Sequence, residues 1–310
     1  MRRLARALLE KMPMRDVAFS VLSRSRLLPE SVYQHLYFEG PITVRLDAKH
    51  QFKMQHWGCQ IENDIHWSGF GNNWEATTLR LWLRLARAAD VILDIGANTG
   101  VFALSAKAVN RRARVFAFEP VDRVFRRLKY NIELNAYDIT AVKAGASDAN
   151  GTAILFDVPT AHVYSASLER EMLGDRPDLV SVSVEIVRAG EFLQENVPEG
   201  AILAKIDTER HEPQVLDGFG HLIASRRPIF VVEVLDGAIG NLVEKRFQKL
   251  DYVFYEVVER HAVLRTQHLD GRGSNFLICP REVTERLNLG EEISHQDLDP
   301  RRYSPDDRAA

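Results

Sequence analysis

The densest chemistry in the chain lies in Ala204-Lys205-Ile206-Asp207-Thr208-Glu209-Arg210-His211-Glu212-Pro213. A run ending in Ile206 stops abruptly, and three carboxylates (Asp207, Glu209, Glu212) and one imidazole (His211) follow within six positions. Such a set suits removal of a proton from an alcohol, which attacks poorly until that proton leaves. His211 is the first candidate for the base, because imidazole titrates near neutrality. Asp207 or Glu209 would orient it or take the proton themselves, and Glu212, just before Pro213, also suits the first turn of a following helix. A second constellation is Val91-Ile92-Leu93-Asp94-Ile95-Gly96-Ala97-Asn98-Thr99-Gly100. It reads as a buried strand, a glycine turn and the start of a helix, whose free N–H groups face a ligand. The spacing is Gly-x-x-x-Gly rather than the Gly-x-Gly-x-x-Gly of dinucleotide sites. About 20 residues on, Glu119-Pro120 closes the run Arg114 to Phe118, where an acid can accept from both hydroxyls of a ribose.

The pair DIGANTG and FAFEP resembles the S-adenosylmethionine site of class I methyltransferases. The resemblance implies that Asp94 orients the turn or meets the amino-acid end of the cofactor. Gly96, Ala97, Asn98, Thr99 and Gly100 would wrap the methionine part, and Glu119 with Pro120 would hold the ribose. The turn Gly145-Ala146-Ser147-Asp148 would sit beside the adenine, with Asp148 accepting from its exocyclic amine; a plain turn completed by Asn150-Gly151 is the alternative. An NAD-type or purely structural βαβ unit is the other reading of the glycine turn. The Asn/Asp-Pro-Pro-aromatic clamp of amine methyltransferases is absent at Asp207, which favours an oxygen acceptor. With KIDTERHEP followed by VLDG, the chain resembles the FkbM family of methyltransferases from about Trp74 to Ile278. Members are mostly O-methyltransferases of polyketide, sugar or other metabolite hydroxyls. Family sequences usually carry glycine where Arg210 stands, which would allow a positive φ or a close approach. Arg210 narrows the pocket or binds an anionic acceptor on this reading. A divalent cation on Asp207, Glu209 and Glu233 is a further option from oxygen-ligand chemistry, without support from spacing.

The elements that must position these residues alternate as a parallel sheet requires. Strands are expected at 91–95, 114–118, 139–144, 201–206, 228–234, 252–258 and 275–279, with helices at 74–88, 101–109, 121–134, 190–195, 214–224 and 241–250. The fold class is therefore α/β: a Rossmann-like, seven-stranded, mostly parallel sheet ending in an antiparallel pair. The helix at 121–134 is basic on one face through Arg123, Arg126, Arg127 and Lys129, read as solvated. Between 152 and 188 β-like runs interrupt the alternation, as a hairpin inserted over the carboxyl edge of the sheet where ligands bind. Residues 42–65 alternate in three short runs and suggest a small β-meander. Residues 1–36 form an amphipathic, arginine-rich helical stretch, broken at Pro13 and Pro29, that docks on the body, pairs two copies or rests on an anionic membrane. The division expected is thus 1–73 as an extension, 74–289 as the methyltransferase domain and 290–310 as a polar tail.

Composition allows this reading. The chain has 310 residues, 45% apolar, enough for a real core. Its net charge of −3 gives no field for nucleic acid. Cys59 and Cys279 are the only cysteines and read as buried thiols in a reducing cytoplasm. No apolar run is long enough to span a bilayer. The acceptor expected is a hydroxyl on a small molecule or glycan. The alternatives are an RNA- or protein-modifying methyltransferase and a module that binds S-adenosylmethionine without catalysis.

Overall fold

The computed structural model describes residues 30–157, 166–167, 179–197, 199–271 and 274–302. The amphipathic N-terminal stretch up to residue 29, and the polar centre of the 152–188 segment, lie outside them.

A single turn, α1 (Glu30–Tyr33), leads into the antiparallel hairpin of β1 (Glu39–Arg45) and β2 (Gln51–Trp57). The third run of the expected meander is instead helix α2 (Gln60–Ser68). The reason lies in Asn63, which donates to the Tyr33 carbonyl at 2.9 Å and accepts from Trp67 Nε1 at 3.1 Å. Asn63 and Trp67 meet at helical i, i+4 spacing, which a strand cannot offer. Helix α3 (Ala76–Ala86) buries Leu79, Trp82, Leu83 and Leu85, as its periodicity requires.

The alternation follows: β3 (Val91–Ile95), α4 (Val101–Val109), β4 (Arg114–Phe118), α5 (Asp122–Asn135) and β5 (Ile139–Val142). The segment expected as a turn at 145–148 is instead partly strand β6 (Gly145–Ser147), and the inserted segment supplies β7 (Gly151–Asp157), β8 (Ala166–Ser167) and β9 (Val180–Arg188). Parallel pairing with β9 draws β6 in, and the four form their own sheet in the order β6-β9-β7-β8. Then come α6 (Ala189–Asn196), β10 (Ile202–Ile206), α7 (Glu212–Phe219) and α8 (Leu222–Arg226). The single helix expected at 214–224 is these last two, because Gly220 takes a φ of +55° between them. The chain continues through β11 (Ile229–Val234), α9 (Gly237–Phe247), β12 (Tyr252–Val258), β13 (Ala262–Thr266), β14 (Ser274–Pro280), α10 (Arg281–Arg286) and β15 (Glu292–Ser294).

The main sheet runs β15-β13-β12-β14-β11-β10-β3-β4-β5. The seven expected strands are its core, with β14 antiparallel to both β11 and β12. Two further strands extend one edge: β13 pairs with β12 and β15 with β13. The segment read as a polar tail is therefore partly structural, and Leu298 within it is fully buried. Its two buried apolar residues, Ile293 and Leu298, are too few to stand out against the charges around them.

Side chains of β3 divide between the two faces with the period of a strand. Ile92 packs into the core with α3, α4 and the β1–β2 hairpin; Val91, Leu93 and Ile95 pack into the core with α6, α7 and α9. Both faces are covered, which is why the central strands β3, β10 and β11 are apolar except for Asp94, Lys205 and Glu233. Among the described residues no helix is long and apolar enough to cross a membrane. Both cysteines are buried thiols outside any disulfide.

Candidate active site

Strand register decides what meets at the carboxyl edge. Ile206 pairs with Ile95, Ile95 with Phe118, and Ile206 with Val232. The next residues along, Asp207, Gly96, Glu119 and Glu233, therefore emerge in one row. A cavity of about 240 Å³ opens over that row. Its lining includes Gly96 to Thr99, Glu119, Pro120, Lys205, Asp207, Glu209 and Glu233, with Trp74, Phe102 and Leu155 among its apolar walls.

The glycine turn is locked by close packing. Gly96 has a φ of +82°, and a Cβ there would lie 1.9 Å from the Asp207 carbonyl oxygen. No other residue fits without moving the loop that carries the carboxylates. Asp94, 1% exposed, accepts from the Ala103 N–H at 2.8 Å and so ties β3 to the first turn of α4. Its second oxygen is buried without a hydrogen-bond partner, and burial pushes its pKa up to about 6. Glu119 accepts from the N–H groups of Asn98 (3.1 Å) and Val121 (2.9 Å). It braces the turn while lining the cavity, and burial raises its pKa to about 7. Gly100 lies behind the turn against Leu128 rather than on the lining.

On the other side, the carboxylates surround a residue to which the sequence reading gives no role. Lys205 is 2% exposed and sits 2.6 Å from the Asp207 carboxylate, with its ammonium 4.4 Å from the centre of the Phe102 ring. A lysine in a wholly buried strand is the available signal, since a buried charge requires a partner. Burial works against the ionised form of Asp207, but the Lys205 ammonium holds it below the usual carboxylate range. Glu233 beside it is pushed up to about 10, first by the Asp207 charge and then by burial. Glu209 is raised to about 7 by burial and by the Asp207 and Glu212 carboxylates. Trp74 and Glu75, read only as the opening of a helix, also line the cavity.

The remaining candidates lie around it. His211, 9% exposed, is outside the lining, and its Nε2 is 2.9 Å from Ser147 Oγ. Ser147 and Asp148 hydrogen-bond to each other and are also outside it. Glu212 shapes the loop: one carboxylate oxygen accepts from the Thr208 N–H and hydroxyl, both at 3.0 Å, and from the Arg210 N–H at 3.2 Å. Arg210 does have a positive φ, +82°, at the position where glycine is usual. Its side chain is not on the lining but pairs with Asp236 at 2.7 Å. Arg123, on the face read as solvated, lines the cavity and pairs with Asp157 at 2.5 Å, tying α5 to β7 of the insertion.

The residues present fit S-adenosylmethionine. Five acidic side chains on the lining (Glu75, Glu119, Asp207, Glu209, Glu233) face two cations, Arg123 and Lys205. Both cations are already paired with acids, and the acids whose pKa is raised would ionise against an arriving positive charge, so the cavity suits a cationic ligand. Asp207, Glu209 and Glu233 share the lining, yet among the described residues no group of three His, Cys, Asp or Glu side chains is placed to hold a metal ion.

Residues 94–259 match the methyltransferase FkbM domain family. The hexuronic acid methyltransferase AglP of Haloferax volcanii is 30% identical over 151 residues, covering 49% of this chain and 59% of that protein. The 31-O-demethyl-FK506 methyltransferase FkbM of Streptomyces tacrolimicus is 29% identical over 198 residues, covering 54% of this chain and 76% of that protein. A solved methyltransferase FkbM from Methylobacillus flagellatus is 15% identical with a TM-score of 0.37, over 62% of this chain and 44% of that one. The family match spans more than half of the chain and holds the glycine turn, Glu119 and the Asp207–Glu212 loop together, and the chain belongs to the FkbM methyltransferase family.

Proposed function

We propose that this protein transfers the methyl group of S-adenosylmethionine to a hydroxyl oxygen of a small molecule or sugar. The observation that carries the reading is one cavity bounded by the glycine turn and Glu119 on one side and by Asp207, Glu209 and Glu233 on the other. Bound there, the cofactor supplies a methyl group on a positively charged sulfur. Glu119 would hold the ribose and Gly96 to Thr99 the methionine part. The Glu209 carboxylate would accept the proton of the acceptor hydroxyl as the methyl passes to that oxygen and its bond to sulfur breaks, S-adenosylhomocysteine leaving as the neutral thioether. A base with a pKa of about 7 is half ionised at neutral pH, which matches the task. Glu209 takes this role rather than His211, because Glu209 lines the cavity and His211 does not. Asp207, ionised beside Lys205, adds negative charge where positive charge moves through the transition state. The insertion reaches the site through Leu155, so the acceptor is enclosed between it and the residues around Trp74. The relatives AglP and FkbM are named for a hexuronic acid and for 31-O-demethyl-FK506, which supports an oxygen acceptor on a sugar or other small molecule.

The test is incubation with radiolabelled S-adenosylmethionine and separated small-molecule, glycan, lipid, RNA and protein fractions. Label should enter the glycan or small-molecule fraction as a base-stable ether. Glu209→Gln should slow transfer about a hundredfold or more, the usual contribution of a general base. His211→Ala should stay within about tenfold of the parent rate. Label confined to RNA or protein, or normal turnover by Glu209→Gln, would sink the proposal.

A further inference from the structure

Glu75 stands where a helix cap belongs, yet it does not cap. It is the N-cap residue of α3, with φ +42° and ψ +43°, and its side chain makes no capping hydrogen bond. The work is done from a distance. The Glu259 carboxylate accepts from the Thr77 N–H at 2.6 Å, the Thr78 N–H at 3.3 Å and the Thr78 hydroxyl at 2.5 Å. With the helix end satisfied by Glu259, Glu75 is left to line the cavity, as Trp74 and Lys205 do. Its Oε2 is buried and has no hydrogen-bond partner among the described residues. A left-handed backbone in a non-glycine residue and a buried, unpartnered carboxyl oxygen are both costly, and such costs gather where a ligand is held.

The position within the cavity says which part of a ligand it meets. Glu119 lies at the end of β4 and feels Arg123 and Asp157. Glu75 feels a separate set: Lys205 and Asp207 on β10, Glu259 between β12 and β13, and Asp94 on β3. A cofactor with its ribose at Glu119 runs across the glycine turn of β3 towards β10, so its amino-acid end arrives near Glu75. Lys205 does not neutralise Glu75, because its ammonium is committed to Asp207. The missing partner is a cation.

We propose that Glu75 binds the α-ammonium group of the cofactor's amino-acid end, selecting S-adenosyl compounds that carry a free amine. This rests on the S-adenosylmethionine reading above. Burial, opposed by Lys205 and reinforced by the Asp207, Glu259 and Asp94 charges, raises the Glu75 pKa to about 8. An arriving ammonium favours the carboxylate, so binding near pH 7 expels a proton from Glu75.

Calorimetry with S-adenosylhomocysteine and with its deaminated analogue, on the parent protein, Glu75→Gln and Glu75→Ala, tests this. The parent should bind the amine-bearing ligand about tenfold or more tightly than the analogue, the scale of a charged hydrogen bond. Both variants should lose that preference while binding the deaminated analogue as the parent does, which also reports an intact fold. Titrations in two buffers of different ionisation enthalpy should show more proton release for the parent than for Glu75→Gln, in which only the other raised acids of the lining, Glu119 and Glu209, can contribute. Equal weakening of both ligands, an unchanged preference or proton release undiminished in Glu75→Gln each overturns the proposal. Binding of neither ligand by the parent overturns the cofactor reading and this one with it.

Discussion

Replacing Lys205 by methionine should be among the most damaging single changes in the protein, and its cost should depend on pH. Methionine keeps much of the apolar stem that packs in β10 but removes the ammonium 2.6 Å from Asp207. Lys205 is 2% exposed, so water does not replace the lost charge. Removing one partner of a buried ion pair costs about 3–5 kcal/mol. The upper half of that range applies, because Glu75 and Asp94 also face Lys205 and Glu233 stands against Asp207. In the parent, the folded pKa of Asp207 is depressed, so its stabilisation is present above the unfolded value and lost only in acid. Lys205 is shifted upward, so its contribution is present below 10.5 and lost only in strong base. Between pH 5 and 8 the parent pair is therefore intact. Without Lys205 the Asp207 pKa rises, and the variant recovers stability as pH falls through it. Urea unfolding should give a difference of about 4 kcal/mol at pH 8 and about 2 kcal/mol at pH 5. Asp207→Asn added to Lys205→Met should return much of the loss at pH 8, since no uncompensated charge remains at that position. A difference below about 1 kcal/mol at pH 8, or one independent of pH, would refute the reasoning.

Three further outcomes are expected. Arg210→Gly removes a positive-φ strain of about 1 kcal/mol and a half-exposed ion pair with Asp236 worth about 0–1 kcal/mol, so thermal unfolding should show an unchanged or slightly higher Tm; a loss above about 1 kcal/mol contradicts this. Gly96→Ala drives a methyl into the Asp207 carbonyl and should cost about 3 kcal/mol or more in urea unfolding while abolishing S-adenosylhomocysteine binding by calorimetry; normal binding would mean that the turn and the loop are not in contact. Asp94, Glu119 and Glu212 have folded pKa values raised to about 6, 7 and 7. Their stabilisation is full below the unfolded values and lost as pH rises through the folded ones, so the ligand-free protein should be less stable at pH 8 than at pH 5 by about 3 kcal/mol or more in urea unfolding; a flat or opposite profile counts against the burial of these acids.

The strands and the two motifs are legible in the sequence because both signals are local. The short run Val91 to Ile95, apolar but for Asp94, reads as a buried strand because it is too short for a helix and ends in the glycine turn of Gly96–Gly100. Helix α2 was hidden because Cys59, Ile61 and Ile65 satisfy both an alternating and a helical pattern; the bond from Asn63 to the distant Tyr33 carbonyl decides between them. Strand β15 has three residues and forms the sheet edge, and β13 beside it has only Ala262 and Val263 buried, so neither carries much hydrophobic signal.

By itself the sequence determined which residues stand at strand ends, and so which chemistry is available: a glycine turn, an acid at the end of β4 and a cluster of carboxylates after β10. Only the tertiary structure decided which of them share a cavity. Glu209 and His211 are two residues apart, yet one lines the site and the other turns to Ser147. The positive φ of Glu209 and Arg210 swings the loop, and Glu212 holds it in place. Glu75 was beyond the reach of sequence because its role depends on Glu259, distant in the chain, taking over the helix cap. Spacing along the chain fixes local conformation, but the direction of a buried charge is set by the partners that packing brings to it.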